Sequence, residues 1–290
     1  MLRPAVAVAL VVTLAACGHA ASAKHARPHD DGDDQPFAAA TNFQPTAFGV
    51  EVTGKGRPII FIPGLGCPGE VWSETVAHLG GAYQAHVLTL AGFAGRAPID
   101  EPLSAAVRRD LTRYIRSRRL QDPIIVGHSM GGFIAYWIAS YHPELVGPVI
   151  IADASPALSG GIDEAKELRS KWKLASDEEF AQRMRAAFSQ MTHNPRRMAT
   201  VLDLIAKSDR HTIGDAIYEM ITTDLTGHVK DIQSPVLIVA ADGPLEARIR
   251  EQTASIPDHQ VIVLPGAGHF VMWDAPGGWF AALDAFLAKH

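Results

Sequence analysis

Seven residues, Val126-Gly127-His128-Ser129-Met130-Gly131-Gly132, constrain this chain more than any other stretch. A short apolar run, Ile124-Ile125-Val126, leads into them, and a helix-like run, Met130 to Tyr141, follows. In a strand–turn–helix context, Gly-x-Ser-x-Gly puts the serine on a sharp bend with strained backbone angles and an outward hydroxyl. The positions two before and two after the serine crowd the bend and must lack side chains, a need that Gly127 and Gly131 meet. Gly132 allows the following helix to approach closely. The bland alternative is a glycine-rich loop with an incidental serine, and the flanking strand and helix patterns argue against it.

The chain has 290 residues, 47% hydrophobic and 20% charged, enough for one large α/β domain with a modest insertion. A formal net charge of -5 gives no reason to expect a nucleic-acid partner. Two cysteines imply no disulfide framework. Near the start, Arg3 precedes an apolar run, Pro4 to Leu14, too short to cross a bilayer as a mature helix. The run ends in Leu14-Ala15-Ala16-Cys17-Gly18, which resembles a bacterial lipoprotein lipobox. That resemblance implies lipidation at Cys17 and an exported protein anchored to an envelope membrane. The alternative is an ordinary secretory signal and a soluble secreted or periplasmic product. Residues 1–17 are therefore expected to be a signal segment. Residues 18–45, rich in Ala, His, Asp and Pro, are expected to form a flexible tether. His19, His25, His29, Asp30 and Asp31 within it lack the spacing of a rigid metal site.

From Phe48 onward the pattern is regular. Strand-like runs at Phe48–Val52, Ile59–Ile62, Ala85–Leu90, Ile124–Val126 and Val149–Ala152 alternate with helical periodicities at Glu70–Leu79, Leu103–Arg118 and Met130–Tyr141. Strict alternation from Ile59 to Ala152 predicts a parallel sheet with right-handed crossovers. From Asp163 to about Leu225 no strand-like run occurs, and four helices are expected: Asp163–Leu174, Asp177–Met191, Pro195–Ala206 and Asp209–Thr223. Strands resume at Val236–Ala240 and Val261–Leu264, with helices near Leu245–Ser255 and from Trp279. Residues 46–155 and 231–290 form the expected core, and residues 156–230 the expected helical lid.

With the serine turn, a glycine-rich turn at Ile62-Pro63-Gly64-Leu65-Gly66 and Gly268-His269 near the end, the chain resembles the α/β-hydrolase fold family from about Phe48 to its C-terminus. The resemblance implies a mostly parallel twisted sheet flanked by helices, with a helical lid inserted between two late strands. It also implies the chain order nucleophile, acid, histidine. Ser129 is the expected nucleophile. A serine hydroxyl needs a base within reach, and His269, on a glycine-bearing loop after an apolar strand, fits that role. The acid is expected at Asp242, after the strand Val236–Ala240, where the family places it. Its turn, Ala241-Asp242-Gly243, is shorter than in many members, and the alternative is Asp153, after Val149–Ala152, with Glu246 a weaker third. The oxyanion donors implied are the N–H groups of Met130 and Leu65. Phe93 is a candidate pocket residue, His128 a packing or polar support, and Cys67 an inert buried thiol. Trp172, Phe180, Met184, Phe188 and Met191 are expected to form the lid's packing face rather than a lipid slot, the two roles not excluding each other.

The leading expectation is a serine hydrolase acting on a carboxylic ester of small or medium size, without metal or organic cofactor. An amidase or iminopeptidase, a C–C hydrolase or a haloperoxidase-like activity would use the same three residues. A non-catalytic, membrane-tethered binding module is the alternative from another class.

Overall fold

The computed structural model describes residues 43–290. The signal segment, the lipidation candidate Cys17 and nearly all of the expected tether lie outside them. The tether was expected to run to Pro45, but Phe43 already packs against the core. The chain is fixed at Thr46 and Ala47, whose backbone N–H groups both donate to the buried Asp110 carboxylate, at 2.8 and 3.0 Å. 

Seven strands form one sheet: β1 (Phe48–Gly54), β2 (Arg57–Ile62), β3 (Tyr83–Leu90), β4 (Ile124–His128), β5 (Val149–Ala152), β6 (Val236–Ala241) and β7 (His259–Leu264). Their spatial order is β1-β3-β2-β4-β5-β6-β7. Among the described residues only β1 runs antiparallel, pairing with β3 at the edge; the remaining pairings are parallel. β4 and β5 are buried along their whole length, and β6 along all but its last residue. Their Val and Ile runs are what a sheet covered on both faces selects. The covering helices are α1 (Ser73–Leu79), α2 (Leu103–Arg118), α3 (Met130–Tyr141), α8 (Pro244–Thr253), α9 (Val271–Asp274) and α10 (Pro276–Leu287). α3 carries apolar residues all round and is buried throughout except at its last residue, Tyr141.

Between β5 and β6 stand four helices, α4 (Ile162–Lys173), α5 (Asp177–Phe188), α6 (Pro195–Ile205) and α7 (Arg210–Thr222). α4 lies against α7, joined by a Lys173–Asp215 ion pair at 2.8 Å. The insertion is stitched to the sheet side at several points. The Asp209 N–H donates to Gly92 O at 2.6 Å. Ser208 Oγ accepts from the Ala94 N–H and donates to Gly66 O. The Glu219 carboxylate accepts from the Ser104 and Ala105 N–H groups at the start of α2. Within the insertion, three helices keep the expected boundaries to within a residue, and the fourth does not. α5 ends at Phe188, not Met191. Pro195 disfavours helix at the residue before it, and Asn194 instead caps α6 by accepting from the Arg197 N–H. The freed residues, 189–194, turn toward the C-terminal edge of the sheet.

Candidate active site

Ser129 sits between β4 and α3 with φ 53° and ψ −118°, a left-handed backbone that a serine adopts only when its surroundings impose it. The glycines around it are needed for space. A Cβ on Gly127 would lie 2.3 Å from Gly131 O, and one on Gly131 would lie 2.2 Å from Ile62 O. On Gly132 it would meet the Ala154 Cβ at 2.5 Å. No side chain fits at such separations, so the two glycines expected at the bend are demanded by neighbouring main chain. Sheet hydrogen bonding carries through the bend: the Ser129 N–H donates to Ala152 O at 3.0 Å.

Asp153 lies one residue past the end of β5, on the strand next to the serine's. It too has a positive φ, 46°, a region aspartate tolerates better than most residues. Its N–H donates to Val239 O at 2.8 Å, and its Oδ1 accepts from the Ala241 N–H at 2.9 Å. With one oxygen anchored to β6, the other points at His269: Oδ2 and Nδ1 are 2.6 Å apart. Both side chains are nearly enclosed, 4% exposed for Asp153 and 11% for His269. Asp242, the first choice for the acid, does not take this position. It is exposed on the short turn into α8 and faces a neighbouring cavity. The reason is local: Gly243 caps α8 immediately, leaving no loop to carry Asp242 inward.

The His269 main chain is held from two sides. Its N–H donates to Met191 O, on the freed segment after α5, at 2.8 Å. Its carbonyl accepts from His128 Nε2 at 2.9 Å. That bond fixes the His128 tautomer with the proton on Nε2. Burial, followed by the proximity of His269, pushes the His128 pKa well below its usual value and keeps the ring neutral. His128 therefore supports His269 without carrying charge.

Ser129, His269 and Asp153 all line one cavity of about 100 Å³. Gly64 and Leu65 form part of its wall, and a Cβ on Gly64 would come within 3.2 Å of the Ser129 Cβ. The turn after β2 thus runs tight against the serine. Met130, the first residue of α3, also lines the cavity, and a helix's first N–H groups lack intrahelical acceptors. Leu65 and Met130, the expected oxyanion donors, belong to these two segments. The rest of the wall is apolar and comes largely from the insertion: Trp172, Met184, Phe188, Ile217 and Met220. Trp172, Met184 and Phe188, expected as the lid's packing face, are buried and also line the cavity, as does Met191 of the same set. Phe180 is buried against Trp172 and does not line the cavity. Phe93 does not take the pocket position expected of it. Its turn bonds back on itself, Phe93 N–H to Leu90 O, and the ring is fully buried, lining neither cavity near the serine. Cys67 is a buried free thiol whose pKa burial raises far above the usual range, as an inert cysteine's would be.

A second cavity, about 270 Å³, shares Asp153, His269, Met191, Leu245 and Arg248 with the first. Its own lining adds the polar side chains of Gln190, His193 and Asp242 to small and apolar residues. Arg248 stands at the junction of the two, and sequence reasoning did not mark it. Its position on α8, one turn after the short turn from β6, is the signal that it faces the site. No group of three or more His, Cys, Asp or Glu side chains among the described residues has the arrangement of a metal site.

A profile of the alpha/beta hydrolase family matches residues 59–283. N-formylmaleamate deformylase from Pseudomonas putida is 26% identical over 81% of this chain and 90% of its own length. A pimeloyl-[acyl-carrier protein] methyl ester esterase from Edwardsiella ictaluri is 24% identical over 79% of this chain and 93% of its own. Among solved structures, the enol-lactonase from Burkholderia xenovorans superposes with a TM-score of 0.74 at 16% identity, over 83% of this chain and 96% of that one. The chain belongs to the alpha/beta hydrolase family.

Proposed function

We propose that this chain is a serine hydrolase that cleaves a carboxylic ester of short to medium size through Ser129, His269 and Asp153. The observation that carries the reading is the 2.6 Å Asp153–His269 contact on the wall of the cavity that Ser129 also lines. With Nδ1 given to Asp153, Nε2 is the nitrogen left to take the serine's proton. Ser129 Oγ then attacks the ester carbonyl, and the negative charge on its oxygen is met by the N–H groups of Leu65 and Met130. Collapse of the intermediate breaks the bond to the alkoxy group, which leaves with the proton held by His269. Water, deprotonated by the same imidazole, attacks the acyl-serine and releases the acid.

The two cavities divide the substrate. The first, more apolar one suits an acyl chain, and the second, which Gln190, His193 and Arg248 help to line, suits the departing group. A compact apolar chamber walled by packed helices supports short to medium chains. Cleavage of an amide is the second reading, favoured by the deformylase among the relatives. A fluorophosphonate probe with p-nitrophenyl butyrate, the matching anilide and a long-chain triglyceride tests the proposal. The expected result is labelling that disappears in Ser129→Ala and fastest turnover of the butyrate ester. An unlabelled wild type with no turnover would remove the hydrolase reading, and faster turnover of the triglyceride would remove the size assignment.

A further inference from the structure

Asp274, on the short helix after the histidine loop, has no part in the chemistry above. Its carboxylate nonetheless joins two segments that flank His269. Oδ1 accepts from Thr192 Oγ1 at 2.5 Å and from the His193 N–H at 2.9 Å. Oδ2 accepts from the Gly268 N–H at 2.9 Å. One side of this carboxylate therefore holds the insertion, and the other holds the residue next to His269. Two further bonds cross the same seam: the His269 N–H to Met191 O at 2.8 Å, and His193 Nδ1 to Gly266 O at 3.0 Å. Asn194 adds a weaker one to Trp273 O. The fit at Gly268 leaves no slack, since a Cβ there would stand 2.7 Å from Asp274 Oδ2 and 2.9 Å from Met191 O. 

We infer that Asp274 is a positioning residue that locks the helical insertion to the loop bearing His269, so that closing the insertion over the site and aligning the base are one event. The inference rests on His269 being the base of the proposed hydrolase. The geometry gives it a direction. When the insertion lifts, Met191 O and the Thr192–His193 donors leave together, and His269 loses its N–H acceptor while Gly268 loses its partner's fixed place. The base is then free to drift from the serine, and small displacements of a reacting group are costly in rate. An open enzyme would bind and release substrate, and the closed one would react.

The test compares Thr192→Val, Asp274→Ala and Asp274→Asn with the wild type on p-nitrophenyl butyrate, with rates normalised to fluorophosphonate-titrated sites. Thr192→Val removes the hydroxyl's bond to Asp274 and the bond it accepts from the Asn194 N–H, keeps the side-chain shape and lies on the insertion, so it remains informative if Asp274→Ala fails to fold. Asp274→Ala is expected to lower kcat about tenfold to a hundredfold with KM changed no more than about twofold. Asp274→Asn, which retains one acceptor oxygen, should recover part of the loss. Hydrogen exchange supplies a readout that local stability does not: Thr192→Val should speed exchange at 266–270, across the seam, as well as at 190–194. Unchanged kcat per titrated site in Asp274→Ala, or in Thr192→Val with exchange confined to 190–194, would overturn the inference while leaving the hydrolase reading intact. A wild type that the probe does not label would overturn the hydrolase reading and this inference with it.

Discussion

At the scale of single residues, the structure separates a histidine paired with a carboxylate from histidines held neutral by burial. His269 is paired with a carboxylate and faces a cavity. His128 is sealed in the core beside it, its Nδ1 buried without a partner among the described residues. His86 is the second neutral case. Its Nδ1 meets the Tyr114 hydroxyl at 2.8 Å and its Nε2 the Gln84 Oε1 at 3.1 Å, an arrangement that needs only one ring proton. Burial, and then the charge of Arg118, lower its pKa from 6.5 to about 4. A folded-state value below the unfolded one means that the unfolded chain binds the proton more readily. The stability contributed by neutral His86 is therefore complete above about 6.5 and lost as pH falls toward about 4. Urea midpoints measured across that range should fall with acid in the wild type and fall less steeply in His86→Gln. Parallel curves would contradict the assignment.

At the scale of elements, the sequence was most legible where hydrophobic period and punctuation agree. α2, α3 and β5 begin and end at the residues their patterns predict, Leu103–Arg118, Met130–Tyr141 and Val149–Ala152. Legibility failed where function depends on a turn. The shortening of α5 is announced by Asn194-Pro195, yet nothing in the sequence says that the released residues reach His269. Phe93 failed for the same reason: a residue after a strand faces inward or toward the cavity according to how its turn closes. Helix-to-helix contacts across the insertion were equally silent. Glu219 on α7 is the clearest. It is 9% exposed, and burial raises its pKa from 4.5 despite the opposing Ser104 and Ala105 N–H donors. Those donors belong to the first turn of α2, where a carboxylate is favoured. Removing it in Glu219→Ala leaves buried N–H groups unmet and should cost about 1–3 kcal/mol of unfolding free energy in urea titrations. Because its folded pKa is raised, its contribution is complete below about 4.5 and declines as pH rises through the folded value, a decline that Glu219→Gln should flatten. A Glu219→Ala protein as stable as the wild type would show that α7 does not anchor α2.

At the scale of the whole molecule, three segments far apart in the chain converge on one cavity: the serine bend after β4, the end of β5 and the loop after β7. Two of the three were legible, because the serine bend has a sterically enforced signature and Gly268-His269 follows a clear strand. The acid was not. Both aspartates follow a strand, and it is the closure of the turn after β6, where Gly243 caps α8 at once, that leaves Asp153 rather than Asp242 to meet the imidazole. β5 lies directly beside the serine's strand, and Asp153 is fastened by Ala241 so that its free oxygen faces His269. The same convergence makes the insertion part of the site, since most of the apolar wall and one support of His269 come from it. The most direct measurement of this account is kcat for Asp153→Asn against Asp242→Asn on p-nitrophenyl butyrate. Asp153→Asn should lose about 10⁴-fold, the penalty of a wrongly held imidazole, and Asp242→Asn should stay within about threefold of the wild type. A large loss at Asp242 with Asp153→Asn near the wild type would contradict it.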